Sequence, residues 1–415
     1  MSFVSSLAEA WIIDAVRSPR GIGKLGKGAL AHFHPQRLLA SPLKALRDRN
    51  GLATAEVDDV IIGCATPVLK QGNDIGRMAV LDAGWDMRAG GITVSRFCGS
   101  GISAVHIAAA SIMSGMEDLV IAGGVEMMSY VSSLGEPQPI DSGNVHLRAR
   151  YPQPHQGISA DLVATLEGAA REDLDRLSAE SQRRTATAIE KGYFSRSLTP
   201  VLDDDGNVVL DREQYPRPGT TVESLSKLKP AFAEMMDVRV DDTGTTNRQL
   251  IGHAFPDLRI RHVHHAGNSS GVVDGAAAIL LASPGYAKAQ GWTPRARVRA
   301  MANAAGDPVL MINEPGPAAR KAIRRAGMDV RDIDLYEVNE AFAVVPWKFM
   351  RDLDIDPAIC NVNGGAIALG HPIGATGCML IGTLLDELER RGLGTGLVTM
   401  CAAGGMAPAI IIERI

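Results

Sequence analysis

The chain has 415 residues, more than one hydrophobic core normally serves, so two domains are expected. Its formal net charge of −5 and pI near 6.1 give no electrostatic basis for binding nucleic acid. Five cysteines without paired spacing indicate reduced thiols, and they favour neither a disulfide scaffold nor a metal site. Apolar runs fall short of a membrane span and no signal peptide is evident, so we expect a cytoplasmic protein without a membrane partner.

Two blocks of the sequence occur twice in the same order. The stretch "PLKALRDRNGLATAEVDDVIIGC" predicts an amphipathic helix, a stop at Gly51, an acidic turn and a buried strand. The stretch "AARKAIRRAGMDVRDIDLYEVNE" repeats it, with Gly327 as the stop. Further on, "VSRFCGSGISAVHIAAASIMSGMEDLVIAGG" matches the region that starts at "NVNGGAIALGHPIGATG", again about 276 residues away. We therefore predict an α/β protein made of two copies of one unit.

The stretch between the copies, from about residue 130 to 266, has no counterpart. Its richness in Pro, Asp, Arg and Gln predicts loops and surface helices that cover the scaffold. The expected domains are residues 1–285, with this segment inserted, and residues 286–415. Within the segment, "HVHH" at 262–265 alternates like a strand. Metal binding by these histidines is conceivable, but without a carboxylate cluster we favour surface or pocket-lining roles and expect no metal site.

Cys98 stands in "VSRFCGSG", between an apolar strand and a long helical segment. At such a strand-to-helix turn the helix dipole favours a thiolate, so we expect the pKa of Cys98 to fall. Flanking glycines allow the sharp turn and close substrate approach of a nucleophile elbow. The competing interpretation is a buried, inert cysteine, the commonest state of a lone thiol.

His371 lies in "NGGAIALGHPIGATG", whose many glycines indicate a sharp turn or a close approach by a ligand. The duplication places this turn opposite the Cys98 turn, so pseudo-twofold packing would bring the thiol and the imidazole face to face. Cys401, in "TMCAAGGM", ends a neighbouring strand and would add a second thiol. Asn339, in "YEVNEAFA", also ends a strand, where it could orient a water, polarise a carbonyl or simply cap a turn.

Taken together, "VSRFCGSG", "VNEAFA", "NVNGGAIALGHPIGATG" and "TMCAAGGM" resemble the four active-site motifs of the thiolase family, in the same order. The resemblance covers nearly the whole chain and is weakest at about 130–155 and 233–262. It implies a five-layered αβαβα fold with a loop domain over the active site. It also implies ping-pong acyl transfer between CoA thioesters by a homodimer or homotetramer, with coenzyme A as a substrate and no permanently bound cofactor.

Carried over to this sequence, the resemblance implies a role for each motif residue. Cys98 would be the acylated nucleophile, His371 the base that activates it, and Cys401 the acid/base that acts on the α-carbon of acetyl-CoA. Asn339 would hold a water that forms one oxyanion hole with His371. The backbone N–H groups of Cys98 and Ala403 would form the second. The substrate and CoA would contact four further positions: Ser270, Gln156, Gly157 and Gly404.

Some features depart from the family pattern. Gln156–Gly157 stands where the family usually has Met-Gly, Ala402–Ala403 where many members have Ile-Gly, and the loop at 233–262 is about two dozen residues longer than usual. These differences leave the size of the substrate open, but not the type of reaction. The sequence also leaves open whether the enzyme cleaves a 3-ketoacyl-CoA in degradation or makes acetoacetyl-CoA by synthesis. A β-ketoacyl synthase would need a second catalytic histidine where this chain has Asn339 or Cys401. A non-catalytic lipid-binding protein of the same fold would lack Cys98 or His371.

Overall fold

The computed structural model describes residues 8–135 and 139–415. The first half of the scaffold contains five strands and three helices before the covering segment begins. In chain order they are β1 Trp11–Arg17, β2 Gly21–Ile22, α1 Pro35–Asn50, β3 Asp59–Gly63, α2 Ile75–Asp82, β4 Ile92–Val94, α3 Ser100–Ser114 and β5 Leu119–Met127. Helix α1 ends at Gly51, whose φ of 57° is the left-handed conformation that glycine adopts most easily.

The covering segment consists mostly of short helices. These are α4 Met128–Val131, α5 Val145–Arg150, α6 Gln156–Leu166, α7 Arg171–Glu190, a hairpin of β6 Val201–Leu202 and β7 Val208–Leu210, α8 Val222–Ser226 and α9 Asn247–Ala254. Residues 262–265, expected to alternate as a strand, form neither strand nor helix. The three histidine side chains of this stretch bind buried carboxylates, and these bonds fix the segment without any strand pairing.

The chain then returns to the scaffold and repeats it. The remaining elements are β8 Val273–Ala282, α10 Pro284–Ala289, β9 Ala296–Ala305, α11 Pro315–Ala326, β10 Leu335–Val338, α12 Val344–Leu353, α13 Ala366–Leu369, α14 Ile373–Arg391, β11 Thr395–Thr399 and β12 Met406–Arg414. Helix α11 ends at Gly327 in the left-handed conformation, like Gly51 in the first half.

The strand order shows the duplication directly. The main sheet runs β10-β11-β12-β9-β1-β8-β5-β3-β4, so that β9, β12, β11 and β10 of the second half repeat β1, β8, β5 and β3 of the first. In both halves the fourth strand is parallel to the third. Within the main sheet, the two halves meet where β1 pairs with β9, through Trp11–Arg297 and Ile12–Ala296. This arrangement confirms the predicted two-copy α/β architecture.

Three hydrophobic cores separate five layers. Helices α1 and α2 cover the first half-sheet, and α11 and α12 cover the second. Between the half-sheets, α3 and α14 pack against each other in the central core. Their backbones meet at glycines: a Cβ on Gly101 would lie 2.9 Å from the carbonyl oxygen of Gly374.

Helix α3 belongs to a window that resembles a membrane span by composition. In the described part of the chain, only the window Phe97–Ser114 is long and apolar enough to cross a membrane, and 67% of it is buried inside the fold. Its hydropathy is explained by its position in the central layer, where both half-sheets and α14 cover it.

Candidate active site

Cys98 lies at the turn between β4 and α3. Phe97, just before it, has a φ of 49°, a conformation that is costly for a bulky side chain and that turns the chain sharply into the helix. Ser100 holds this turn by accepting the Arg96 N–H at 2.9 Å and donating to the Phe97 carbonyl at 2.5 Å. The turn therefore has the strained geometry of a nucleophile elbow.

The thiol of Cys98 is protonated in the resting structure. Burial and the nearby Glu126 carboxylate raise its pKa to about 12, although the neighbouring backbone N–H groups of Cys98 and Ala403 oppose the shift. The expectation that the helix dipole lowers this pKa is therefore wrong, because the second half of the fold desolvates the sulfur. The two N–H groups expected to form an oxyanion hole nevertheless converge on the reacting atom.

His371 lies at the equivalent turn of the second half, just before α14. Its Nδ1 is 2.7 Å from the Thr376 hydroxyl, which itself donates to the Pro372 carbonyl at 3.0 Å. The hydroxyl must therefore accept from Nδ1–H, which leaves Nε2 as the unprotonated nitrogen. Burial, with a contribution from the charge of Arg20, lowers the pKa of His371 to about 3, so the imidazole is neutral at physiological pH.

Asn339 faces the free nitrogen of this imidazole. Its Nδ2 is 3.4 Å from His371 Nε2, and its backbone N–H donates to Thr399 O at 3.1 Å. Its Oδ1 is buried without a hydrogen-bond partner among the described residues. A water that donates to Oδ1 would satisfy it, which fits the water-holding role that the resemblance implies.

Cys401 is the second thiol of the site. It follows β11, is 3% exposed, and has a raised pKa because of burial and the neighbouring Cys98 sulfur. Ala403 and Gly404 follow it in a tight turn, in which Gly404 has a φ of 79°. The structure thus brings Cys98, Cys401 and Ala403 together on one side, and His371 and Asn339 together on the other.

The four positions expected at the substrate lie in different surroundings. Ser270 is half-buried and its N–H donates to Ala341 O at 2.9 Å, directly beside the Asn339 loop. Gly157 is buried, and a Cβ there would collide with the Phe232 ring. Gln156 is exposed at the start of α6, so the structure does not direct it into the buried site. Gly404 is partly exposed in the turn after Cys401.

Sequence reasoning missed two residues that hold the site. Thr376 sets the tautomer of His371, and its position five residues after the histidine in one motif is the signal that could have revealed it. Glu126, fully buried at the end of β5, accepts the N–H groups of Ala65, Thr66 and Gly374 at 2.8 to 3.2 Å. One carboxylate thereby ties the start of α14 to the loop after β3.

The HVHH histidines bind carboxylates instead of a metal. His262 and His264 both contact Asp161 at 2.8 Å, and His265 contacts Asp175 at 2.8 Å. Among the residues that the structure describes, no group of three or more His, Cys, Asp and Glu side chains is arranged to hold a metal ion. His264 and His265 are buried, so of the surface and pocket-lining roles expected for these histidines the surface role is wrong for these two.

The neutral state of both catalytic candidates has a measurable consequence. Because the Cys98 thiol has a pKa of about 12 and His371 one of about 3, no thiolate–imidazolium pair forms at neutral pH. We expect the rate of Cys98 alkylation by iodoacetamide to rise about tenfold per pH unit between pH 6 and 9. Mass spectrometry of the Cys98 peptide measures this rate, and a plateau below pH 7 would instead indicate a resting ion pair.

Comparison with known proteins agrees with this geometry. The family model for the thiolase N-terminal domain matches residues 10–242, and that for the thiolase C-terminal domain matches residues 292–414. A steroid 3-ketoacyl-CoA thiolase of Mycobacterium tuberculosis is 38% identical over 99% of this chain and 95% of its own. A 3-oxoadipyl-CoA/3-oxo-5,6-dehydrosuberyl-CoA thiolase of Escherichia coli is 38% identical over 99% of this chain and 100% of its own. An acetyl-CoA acetyltransferase of Rhizobium meliloti is 37% identical over 97% of this chain and 99% of its own. The predicted family, fold and acyltransferase class are confirmed: the chain belongs to the thiolase family.

Proposed function

We propose that this thiolase cleaves a 3-ketoacyl-CoA with free CoA, giving acetyl-CoA and an acyl-CoA shortened by two carbons. The observation that carries the proposal is that α3 and α14, which begin two residues after Cys98 and His371, pack against each other at Gly101 and Gly374, while the free nitrogen of the neutral His371 imidazole faces Asn339. A thiol suits thioester chemistry because attacking and leaving groups have similar pKa values. The named activities of the relatives, two thiolases and an acetyltransferase, are of the same kind.

In the first half-reaction, the Cys98 sulfur attacks the 3-keto carbon while its proton passes to His371 Nε2. Negative charge develops on the keto oxygen, where the N–H groups of Cys98 and Ala403 can stabilise it. The bond between C2 and C3 then breaks, and Cys401 protonates C2 of the departing acetyl-CoA enolate. Asn339, through a water, and His371 stabilise the thioester oxygen of that enolate.

In the second half-reaction, CoA attacks the acyl group on Cys98. The proton that His371 holds after the first half-reaction first passes to the Cys401 thiolate, so that His371 can accept the proton of the CoA thiol. The new thioester then forms, and the Cys98 sulfur leaves and takes this proton back from His371. Reversal of both steps condenses two acyl-CoA molecules, so acetoacetyl-CoA synthesis is the second candidate function. It is favoured by the resemblance to the acetyl-CoA acetyltransferase. Ser270, Gly157 and Gly404 are proposed to contact the acyl-pantetheine arm, with Gln156 at the rim.

Thiolysis should be measured over 3-ketoacyl-CoA substrates of 4 to about 16 carbons, together with dicarboxylic and ring-bearing examples. Loss of the 3-ketoacyl-CoA absorbance on addition of CoA reports cleavage, and mass spectrometry identifies the products. Activity confined to acetoacetyl-CoA would select the synthetic function. Failure to cleave any of these substrates would contradict the proposed function.

We also propose a homo-oligomer in a reducing, cytoplasmic setting. Strand β4, which leads into the Cys98 turn, is an unpaired sheet edge, and Ile92 in it is 41% exposed. Such an apolar edge favours pairing with a second copy of the chain. All five cysteines are free and buried, as reduced thiols are. Light scattering of the purified protein would distinguish monomer, dimer and tetramer.

A further inference from the structure

One short segment, residues 268–271, connects the two catalytic loops. Asn268 O accepts the Ala343 N–H at 3.0 Å, and the Ser270 N–H donates to Ala341 O at 2.9 Å, so the segment pairs with the chain just after Asn339. One residue further on, Gly271 O accepts the backbone N–H of His371 at 2.8 Å. The placement of His371 relative to Asn339 therefore depends on this segment.

A buried His–Asp pair anchors the segment to α7. His265 Nδ1 accepts the Gly267 N–H at 3.0 Å, so its proton lies on Nε2 and is donated to Asp175 at 2.8 Å. Asn268 Nδ2 donates to the same carboxylate oxygen at 3.0 Å, and Arg171 holds the other oxygen at 2.9 Å. Both His265 and Asp175 are only 1% exposed, so water does not compete for these bonds.

The anchored helix also holds the other side of the site. Ser181 on α7 donates to Glu340, the residue after Asn339, at 2.7 Å, and accepts the Gly365 N–H at 3.1 Å. Asp175 and Ser181 lie on the same buried face of α7, six residues apart. A single helix thus fixes both the Asn339 loop and the segment that carries the His371 turn.

We propose that His265 is a positioning residue, whose hydrogen bond to Asp175 fixes residues 268–271 and thereby the distance between His371 and Asn339. The inference rests on the proposed function for its kinetic consequence. Asn339 and His371 are already 3.4 Å apart, at the long end of a hydrogen bond, so a small displacement of the segment would break their contact. Misplacement by about 1 Å can cost about 100-fold in rate.

The test compares two matched histidines. His265→Ala should lower kcat for thiolysis about 10- to 100-fold with less than about a threefold change in KM, because substrate contacts remain while the reacting groups separate. His262→Ala is the control, since His262 also binds a buried carboxylate in the same stretch but makes no bond to residues 268–271. Its kcat should stay within about twofold of the parent. Equal losses in both variants would overturn the proposal.

A double-mutant cycle separates positioning from general destabilisation. If His265 acts through the His371–Asn339 contact, Asn339→Ala should cost less in the His265→Ala background than in the parent, whereas independent effects would be additive. Additive losses would contradict the proposal. Should His265→Ala fail to fold, two other variants provide the test. His265→Gln keeps a donor for Asp175 and should be more active than His265→Asn, whose shorter side chain cannot reach Asp175. The reverse order of activity would also contradict the proposal.

Hydrogen–deuterium exchange at the backbone N–H of His371 distinguishes failure of this inference from failure of the proposed function. This N–H donates to Gly271 O, so its exchange rate reports whether residues 268–271 stay in place, and the measurement needs no 3-ketoacyl-CoA. We expect His265→Ala to raise this rate at least about threefold and His262→Ala to leave it unchanged. If the parent shows no thiolysis but the exchange rates differ in this way, the function is wrong and the positioning role stands. Equal exchange rates in the parent and His265→Ala would overturn the positioning role.

Discussion

Replacing Cys98 with Ser is expected to abolish thiolysis, with a loss of at least about 1,000-fold in kcat and no detectable acyl-enzyme. A serine hydroxyl is both a weaker acid and a weaker nucleophile than a thiol, so attack on the 3-keto carbon with proton transfer to His371 becomes much slower. An oxygen ester on the serine would also be more stable than a thioester, so the following attack by the CoA thiol would be unfavourable. Mass spectrometry after incubation with substrate measures acylation, and steady-state absorbance measures thiolysis.

A matched control for this variant is Cys378→Ser. Cys378 is a buried cysteine in α14 whose sulfur donates to Gly101 O at 3.4 Å, a bond that a serine hydroxyl can replace. It should retain most of the parental activity. Parental thiolysis in Cys98→Ser, with an unchanged Cys378→Ser enzyme, would show that the nucleophile lies elsewhere.

Replacing Cys401 with Ala should separate the two half-reactions. The backbone N–H groups that face Cys98 remain, so acyl exchange between CoA and an acyl-CoA should fall by less than about tenfold. Breaking the carbon–carbon bond requires a proton for C2, and without Cys401 that step should fall at least about 1,000-fold. Exchange of labelled CoA into acetyl-CoA measures the first reaction, and cleavage of acetoacetyl-CoA the second.

Two outcomes would count against this division of labour. Equal losses in exchange and cleavage would mean that Cys401 supports the site as a whole instead of acting on the α-carbon. Unchanged cleavage would mean that another group supplies the proton. Because Cys401 is 3% exposed in a hydrophobic core, Cys401→Ser is a second variant that preserves its volume and tests the thiol itself.

The residues that form the site could be predicted because each lies in a local pattern. Cys98 and His371 each lie two residues before a central helix, and Cys401 and Asn339 follow apolar strands; His371, however, comes after the short helix α13 and not after the expected strand. The duplication then placed these turns opposite each other without any three-dimensional information. The repeated strand order is the two-copy structure that this reasoning anticipated.

What could not be predicted depends on contacts distant in sequence. The pKa of Cys98 rises because the opposite half buries the sulfur, and a local view of the helix dipole omits that desolvation. Helix α7 was expected to be a surface helix, yet its polar face is buried, because the partners of Asp175 and Ser181 come from loops about 90 to 185 residues away. A polar stripe alone does not reveal whether it faces water or the backbone of another segment.

The contact between α3 and α14 sets a limit on how this protein can change through evolution. Cys98 and His371 each precede, by three residues, the glycine at which one helix touches the other, Gly101 and Gly374. A methyl group on Gly101 would press against Gly374 O, and one on Gly374 would press against Val125 O and Gly63 O. At either position α14 would therefore be pushed away from the first half, and His371 would move with it. Although the two copies have diverged in almost every side chain, a larger residue at either glycine would require the other half of the fold to move away by the same distance. The two ancestral units are thus no longer separable, because each carries one of the two reactive residues and their relative placement depends on both.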